Sequence, residues 1–304
     1  MSRIQNILDK AEREGGVRRM RSLVETAAPP RAADGAAEPA LPPFAVPLLD
    51  DDALPVPPIA PPPIEAGAPS FESSSGLPST IPAASATRVV QSSGLDPALV
   101  SVLTPGAAVA EQYRALRTRL ATSDQGSASS IILVTSPGRG EGKTLTAANL
   151  ALTIAQDCQT RICIVDADLR HPRLHALLGV PEGPGLAELL TGEATLADTL
   201  VTIDGQQISV LPSGRPPEHP AELLGSTAMR RTLQTLRTQF DRVIVDSPSA
   251  FPLADVGILA PIVDSVLLVV QAGATTKPAI QNAVSTIGPD RVLGVVLNGT
   301  ADAV

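Results

Sequence analysis

Hydrophobic and polar positions divide the chain near residue 96. From there on, short continuous aliphatic runs alternate with longer stretches of helical spacing. The runs Ile131-Ile132-Leu133-Val134, 161–165, 208–211, 242–246, 265–270 and 292–297 read as core strands. Residues 145–155, 221–239, 254–262 and 278–287 carry helical patterns between them, and 108–121 is a further helix ahead of the first strand. Alternating strands and helices predict an α/β fold, a doubly wound and mostly parallel sheet with helices on both faces. A loop-rich insertion is expected over 168–199. The stretch Gly257 to Val270 is the nearest approach to a membrane span. Pro261 and Asp264 interrupt it, so it reads as helix, turn and strand.

Composition changes the picture at the N-terminal side. Of 30 prolines, 15 fall between Pro29 and Pro82, among Ala, Ser and acidic residues with almost no periodicity. Such a stretch cannot bury enough apolar surface to offset its ordering entropy, so 26–95 is expected to be a disordered, Pro-rich tether. Ahead of it, 1–25 places Ile4, Ile7, Leu8 and Ala11 on one helical face with Arg18, Arg19 and Arg21 beyond. A docking helix and a frayed amphipathic end both fit that segment. Residues 96–304 are then one domain of about 200 residues, enough for a single core. Aromatic residues are 2% of the chain, so that core must be aliphatic.

The net charge of −8 argues against a nucleic-acid surface, and no nucleic acid is expected as a partner. With no secretory pattern and no apolar run of membrane-spanning length, the expected location is cytoplasmic. Cys158 and Cys163 fit neither a zinc spacing nor a redox pair and read as buried thiols.

Candidate chemistry sits at a strand-to-helix turn, Ser136-Pro137-Gly138-Arg139-Gly140-Glu141-Gly142-Lys143-Thr144. Glycines at 138, 140 and 142 open backbone conformations closed to other residues, which turns N–H groups toward an anion at the helix N-terminus. Lys143 would reach the β- and γ-phosphates, and the Thr144 hydroxyl suits Mg²⁺. The strict phosphate-loop pattern wants glycine where Pro137 stands. Two further strands end in carboxylates, Asp166 with Asp168 and Asp246, at the sheet edge where ligands gather. His171 and His175 have helical spacing, but Pro172 and the lack of a third ligand point to a solvent- or phosphate-facing cluster.

These residues resemble the cytoplasmic kinase domain of bacterial tyrosine kinases, which accompany capsule and exopolysaccharide synthesis. The loop 135–144 resembles that family's phosphate loop. Val165-Asp166-Ala167-Asp168-Leu169-Arg170-His171-Pro172 resembles its second acidic motif, 240–248 its third, and Glu111-Gln112-Tyr113-Arg114-Ala115-Leu116-Arg117 the helix through which its members form rings. Pro220-Ala221-Glu222-Leu223-Leu224 belongs to the same likeness, which covers about 109–298.

The resemblance implies ATP and Mg²⁺ as cofactors. It implies nucleotide contacts from Gly138, Gly140, Glu141, Gly142, Lys143, Thr144, Leu145 and Asn298, and metal contacts from Thr144, Asp166 and Asp246. Lys143, Asp166 and Asp168 are the implied catalytic group, with Asp168 the first choice as base. A membrane-bound polysaccharide co-polymerase or chain-length protein is the implied partner, recruiting the chain to the inner face of the cell membrane. Glu111, Arg114 and Arg117 are the implied contacts of a homo-oligomer.

One departure limits the likeness. Family members usually end in a tail of several tyrosines, whereas Tyr113 is the only tyrosine here, so autophosphorylation of a tyrosine cluster is not expected. Two other readings stay open. A partitioning or division-site ATPase shares this fold, but usually carries a second lysine where Gly138 stands. A nucleotide-dependent scaffold without catalysis would use the same loop.

Overall fold

The structure is a computed structural model and describes residues 88–90, 94–123, 130–157 and 159–300. The segment 1–25, nearly all of 26–95, and Cys158 lie outside the described residues.

The element order is β1 (Arg88–Val90), α1 (Val100–Leu103), α2 (Ala108–Ser123), β2 (Ser130–Thr135), α3 (Lys143–Ala155), β3 (Ile162–Asp166), α4 (Leu174–Leu177), α5 (Leu186–Thr191), α6 (Leu196–Thr199), β4 (Val201–Ile203) and β5 (Ile208–Leu211). It continues with α7 (Pro220–Leu224), α8 (Thr227–Gln239), β6 (Arg242–Asp246), α9 (Asp255–Leu259), a 3₁₀ turn (Ala260–Ile262), β7 (Ser265–Gln271), α10 (Lys277–Ile287), a second 3₁₀ turn (Pro289–Arg291) and β8 (Val292–Asn298). The strands form one eight-stranded sheet in the order β1-β4-β5-β3-β6-β2-β7-β8, parallel throughout except between β4 and β5.

The central strands are buried along their whole length because helices cover both faces, and alternate side chains feed two cores. Leu133, Val165 and Val245 point to one, with α5, α8, α9 and α10; Val134, Ile164 and Ile244 point to the other, with α3. Helix α3 is buried from Thr146 to Ala155, which is why its sequence is small and apolar all round. Its Asn149 accepts from Ser101 N–H at 3.1 Å and donates to the Ala98 carbonyl at 3.1 Å, tying α1 down beside the phosphate loop's helix. Cys163 is buried in β3, as expected, and burial pushes its thiol pKa up.

Three sequence expectations need correction. The predicted helix 221–239 is two helices, because the chain breaks at Gly225 and Ser226 and the Ser226 hydroxyl caps α8 by accepting from Met229 N–H at 3.1 Å. The insertion 168–199 holds three one- to two-turn helices, each too short to show a period. Strands β1 and β4, three residues each, are additions to the predicted order, since such runs carry no strand signal until a neighbour pairs with them. Among the described residues no helix is long and apolar enough to cross a membrane.

Candidate functional site

The parallel order of β3, β6 and β2 brings three motifs to one end of the sheet. β6 lies between β3 and β2, and its register sets Asp246 opposite both Asp166 and Val134. The chain leaving β6 then lies on the phosphate loop: Ser247 N–H donates to the Val134 carbonyl, Ala250 N–H to that of Ser136 at 2.8 Å, and Phe251 N–H to that of Pro137 at 3.2 Å.

The phosphate loop turns through the left-handed region at Gly140 (φ 80°) and Gly142 (φ 90°), the latter capping α3. Gly138 does not, which corrects the expectation that all three glycines serve left-handed geometry. Its demand is for space, since a Cβ there would lie 3.3 Å from Glu141 Oε1. Lys143 is the first residue of α3, and its ammonium donates to Asp168 Oδ2 at 2.9 Å and to Thr144 Oγ1 at 3.3 Å. The ammonium and the Asp168 carboxylate are both nearly enclosed.

The three aspartates differ in what they already hold. Asp166 accepts from Asp168 N–H at 3.1 Å and from Leu174 N–H at 3.2 Å, one bond to each oxygen, so it shapes the loop after β3. Asp168 accepts from His171 N–H at 3.1 Å on the oxygen that does not face Lys143. Asp246 is fully buried, and neither of its oxygens accepts a hydrogen bond of ordinary geometry, although the Thr144 hydroxyl is near enough to favour its charge.

Burial dominates the electrostatics here. It pushes the Asp246 carboxyl up to about 7 against the opposing pull of Lys143, and it raises Asp166 well above the usual carboxylate range, with the Asp246 charge adding to the effect. Burial works against the charge on Lys143, but Asp246, Asp168 and Asp166 together outweigh it and hold the ammonium above its usual range.

Two buried, unpartnered carboxylate oxygens beside a hydroxyl and a lysine suit a hard cation that takes few protein ligands. Among the described residues no group of three His, Cys, Asp or Glu is arranged to hold a metal ion by itself, so phosphate or water oxygens would have to complete the shell. His171 is exposed and contributes only its backbone N–H to this loop.

Burial of Asp246 makes stability depend on pH in the absence of ligand. Between about pH 4 and about pH 7 the folded chain holds a proton there that the unfolded chain has already released. This contribution is full below the unfolded range and lost as pH rises through about 7. Asp246→Asn should therefore melt roughly 5 °C or more above the parent at pH 8 without nucleotide or Mg²⁺, and the gap should shrink toward pH 5. Thermal melts at both pH values test this, and an equal or lower melting point at pH 8 contradicts it.

Asn298, at the end of β8, donates to the Glu141 carbonyl at 3.0 Å, and Thr275 Oγ1 donates to Glu141 Oε1 at 2.7 Å. The loop is thus braced against the ends of β7 and β8. Leu145 is half-buried and packs against the core on the α3 side. Two contributors have no sequence signal. Thr275 reads as an ordinary loop hydroxyl. Asp255 reads as a helix-start acid, yet it is fully buried and bridged by Arg170 Nε at 2.7 Å and an Arg170 terminal nitrogen at 3.1 Å, clamping the loop that carries Asp168.

On the predicted assembly helix, Glu111 is exposed and paired with Arg114, which also donates to the Pro105 carbonyl. Arg117 donates inward to the Thr153 carbonyl at 3.0 Å. Tyr113 is half-buried with its phenol against the Thr146 hydroxyl, and burial pushes its pKa up.

A family model described as an AAA domain matches residues 129–289. The chain is 31% identical over 203 residues to the tyrosine-protein kinase YwqD of Bacillus subtilis, covering 66% of this chain and 85% of that protein. It is 31% identical over 189 residues to the tyrosine-protein kinase ptk of Acinetobacter johnsonii, covering 62% of this chain but 25% of that much longer protein. Among solved structures, the kinase domain of the Escherichia coli tyrosine kinase ETK superposes with a TM-score of 0.64 at 29% identity, over 66% of this chain and 80% of that one.

Proposed function

We propose, from the premise that this chain belongs to the bacterial tyrosine-protein kinases and is built on their AAA domain, that it binds ATP with Mg²⁺ and transfers the γ-phosphoryl group to a tyrosine. The observation that carries the reading is Asp246, fully buried with both oxygens unpartnered, next to the Lys143–Asp168 pair. A buried carboxylate without partners is costly unless a ligand completes it.

In this reading Gly138, Gly140, Glu141, Gly142 and Leu145 form the loop around the phosphates, and Asn298 borders the base. Thr144 and Asp246 hold Mg²⁺, with Asp166 adding negative charge and ordering the loop. The bound ion neutralises phosphate charge. Lys143 exchanges its Asp168 contact for phosphate oxygens, which leaves Asp168 free as a base. The tyrosine oxygen bonds to the γ-phosphorus while the bond to the β,γ-bridging oxygen breaks. The phenolic proton passes to Asp168, and ADP leaves.

The biological setting we propose is control of exopolysaccharide or capsule polymerisation and export. Residues 1–25 dock on a separate membrane partner of the co-polymerase type, the Pro-rich stretch ahead of β1 tethers, and the domain that begins with β1 at Arg88 rather than at residue 96 carries the chemistry at the inner membrane face. Relatives in which the matching domain is a quarter of a longer chain support division of the work between parts. Assembly runs through Glu111, Arg114 and Arg117. Because Arg117 already serves the Thr153 carbonyl and Arg114 the Pro105 carbonyl within the fold, Glu111→Ala, at an exposed residue paired on its own helix, is the cleaner probe. It should lower the molar mass seen by light scattering, and an unchanged mass would make α2 a plain surface helix. Incubation with radiolabelled ATP, alone and with the membrane partner, tests the activity. Hydrolysis with no label on any protein would sink the kinase reading and leave an ATPase.

A further inference from the structure

The end of the sheet that carries the phosphate loop also carries an unsatisfied surface. Phe251, one of five aromatic residues in the chain, is 71% exposed, the largest exposure among the large hydrophobics described. It is not on a stray loop. Two backbone bonds, Ala250 N–H to Ser136 and Phe251 N–H to Pro137, hold its segment on the phosphate loop.

On either side of it stand cations with nothing to answer them. Arg139, between Gly138 and Gly140, and Arg173, five residues past Asp168, are exposed, and their guanidiniums make no ion pair or hydrogen bond among the described residues. The sheet order puts their loops on β2 and β3, flanking the loop of β6 that bears Phe251. Among the carboxylates of these loops, Asp168 is committed to Lys143, Asp255 to Arg170, and Glu188 and Glu193 to Arg215, while Asp246 and Glu141 are buried beneath the mouth rather than on it. Glu218, exposed on the loop after β5, stands on the far side of β3. In a chain of net charge −8, the mouth of the site is left positive and apolar at once.

We infer that Phe251, Arg139 and Arg173 form a docking rim for an acidic polypeptide segment that presents a tyrosine to the phosphate site. This rests on the kinase reading for the fate of that tyrosine, while the docking itself does not. An exposed aromatic ring supplies a contact for the phenol or an adjacent apolar side chain, and the two guanidiniums select carboxylates on its flanks. The acceptor is not Tyr113, whose hydroxyl lies against Thr146. That threonine is two residues past Thr144 and so about 200° around α3 from the phosphate side.

The test uses the full chain with Mg²⁺, in ADP to measure binding and in ATP for a parallel phosphorylation assay, and two fluorescein-labelled peptides, each with one central tyrosine, flanked either by glutamates or by glutamines. By fluorescence anisotropy the glutamate peptide should bind about tenfold tighter at low salt, the yield of two partly exposed charge pairs, and the difference should shrink as salt is added. Phe251→Ala and Arg173→Gln should each weaken glutamate-peptide binding several-fold while leaving ADP affinity unchanged. Equal binding of the two peptides, or no loss in either variant, overturns the inference even if both peptides are phosphorylated, in which case the kinase reading survives alone. Tight, variant-sensitive binding without phosphorylation upholds the rim and removes the kinase reading. A drop in molar mass for Phe251→Ala with peptide binding intact would assign the surface to contacts between copies and overturn the inference.

Discussion

Lys143→Met is expected to lower ATP turnover at least about 100-fold, the scale seen when one preorganised donor to developing charge is removed. Methionine keeps most of the stem's length and bulk, so the helix start and its packing should persist. What disappears is the one ammonium that faces Asp166, Asp168 and Asp246 together. The loss should appear twice. The triphosphate loses its cation, and the carboxylates lose theirs, which favours protonation of Asp246 still further because Lys143 is the main influence now opposing burial there. Nucleotide titration, single-turnover hydrolysis and a thermal melt of the same preparation separate these effects. A folded variant that binds and turns over ATP at the parent rate would remove the phosphate-loop assignment altogether.

Gly142→Ala is expected to be nearly as damaging, for a backbone reason. Residue 142 sits at φ 90°, where any Cβ is strained by roughly 1–2 kcal/mol. The added carbon would also lie 2.1 Å from Asn298 Nδ2, so Asn298 must let go of the Glu141 carbonyl, forfeiting about another 1 kcal/mol. Together these predict a nucleotide affinity reduced roughly 30-fold or more. Gly140→Ala is the internal control. It carries similar strain at φ 80°, but its Cβ would meet nothing within 4 Å, so the loss should be several-fold smaller. Calorimetric titration with ADP measures both, and equal losses would show that the Asn298 contact has no part in nucleotide binding.

Much of the fold is legible in the chain because the central strands are buried on both faces. They lack the apolar and polar alternation of a half-exposed strand; Ile131 to Val134, Ile162 to Val165 and Val243 to Val245 are simply continuous apolar runs, each followed by a motif residue. Lys143, Asp166, Asp168 and Asp246 can be picked out for the same reason, since strand ends in a parallel sheet share one edge. What stays hidden is either short or non-local. The three-residue strands β1 and β4 exist only by pairing with each other and with β5. Ser226 is one polar residue inside a helical pattern, and only the folded chain shows it capping the second of two helices.

The amino-acid order alone therefore determined the α/β architecture, the position of the phosphate loop and the carboxylates that face it, because those depend on hydrophobic period and on glycine's local freedom. Only the tertiary structure decided how the three aspartates divide their work. Asp166 is consumed by backbone N–H groups, Asp168 is paired with Lys143, and Asp246 alone is left buried and unpartnered. The same holds for the Arg170–Asp255 clamp and for Phe251 standing exposed on the phosphate loop. Charge, desolvation and hydrogen bonding depend on which atoms meet across strands far apart in the chain, and no local pattern in the sequence encodes that.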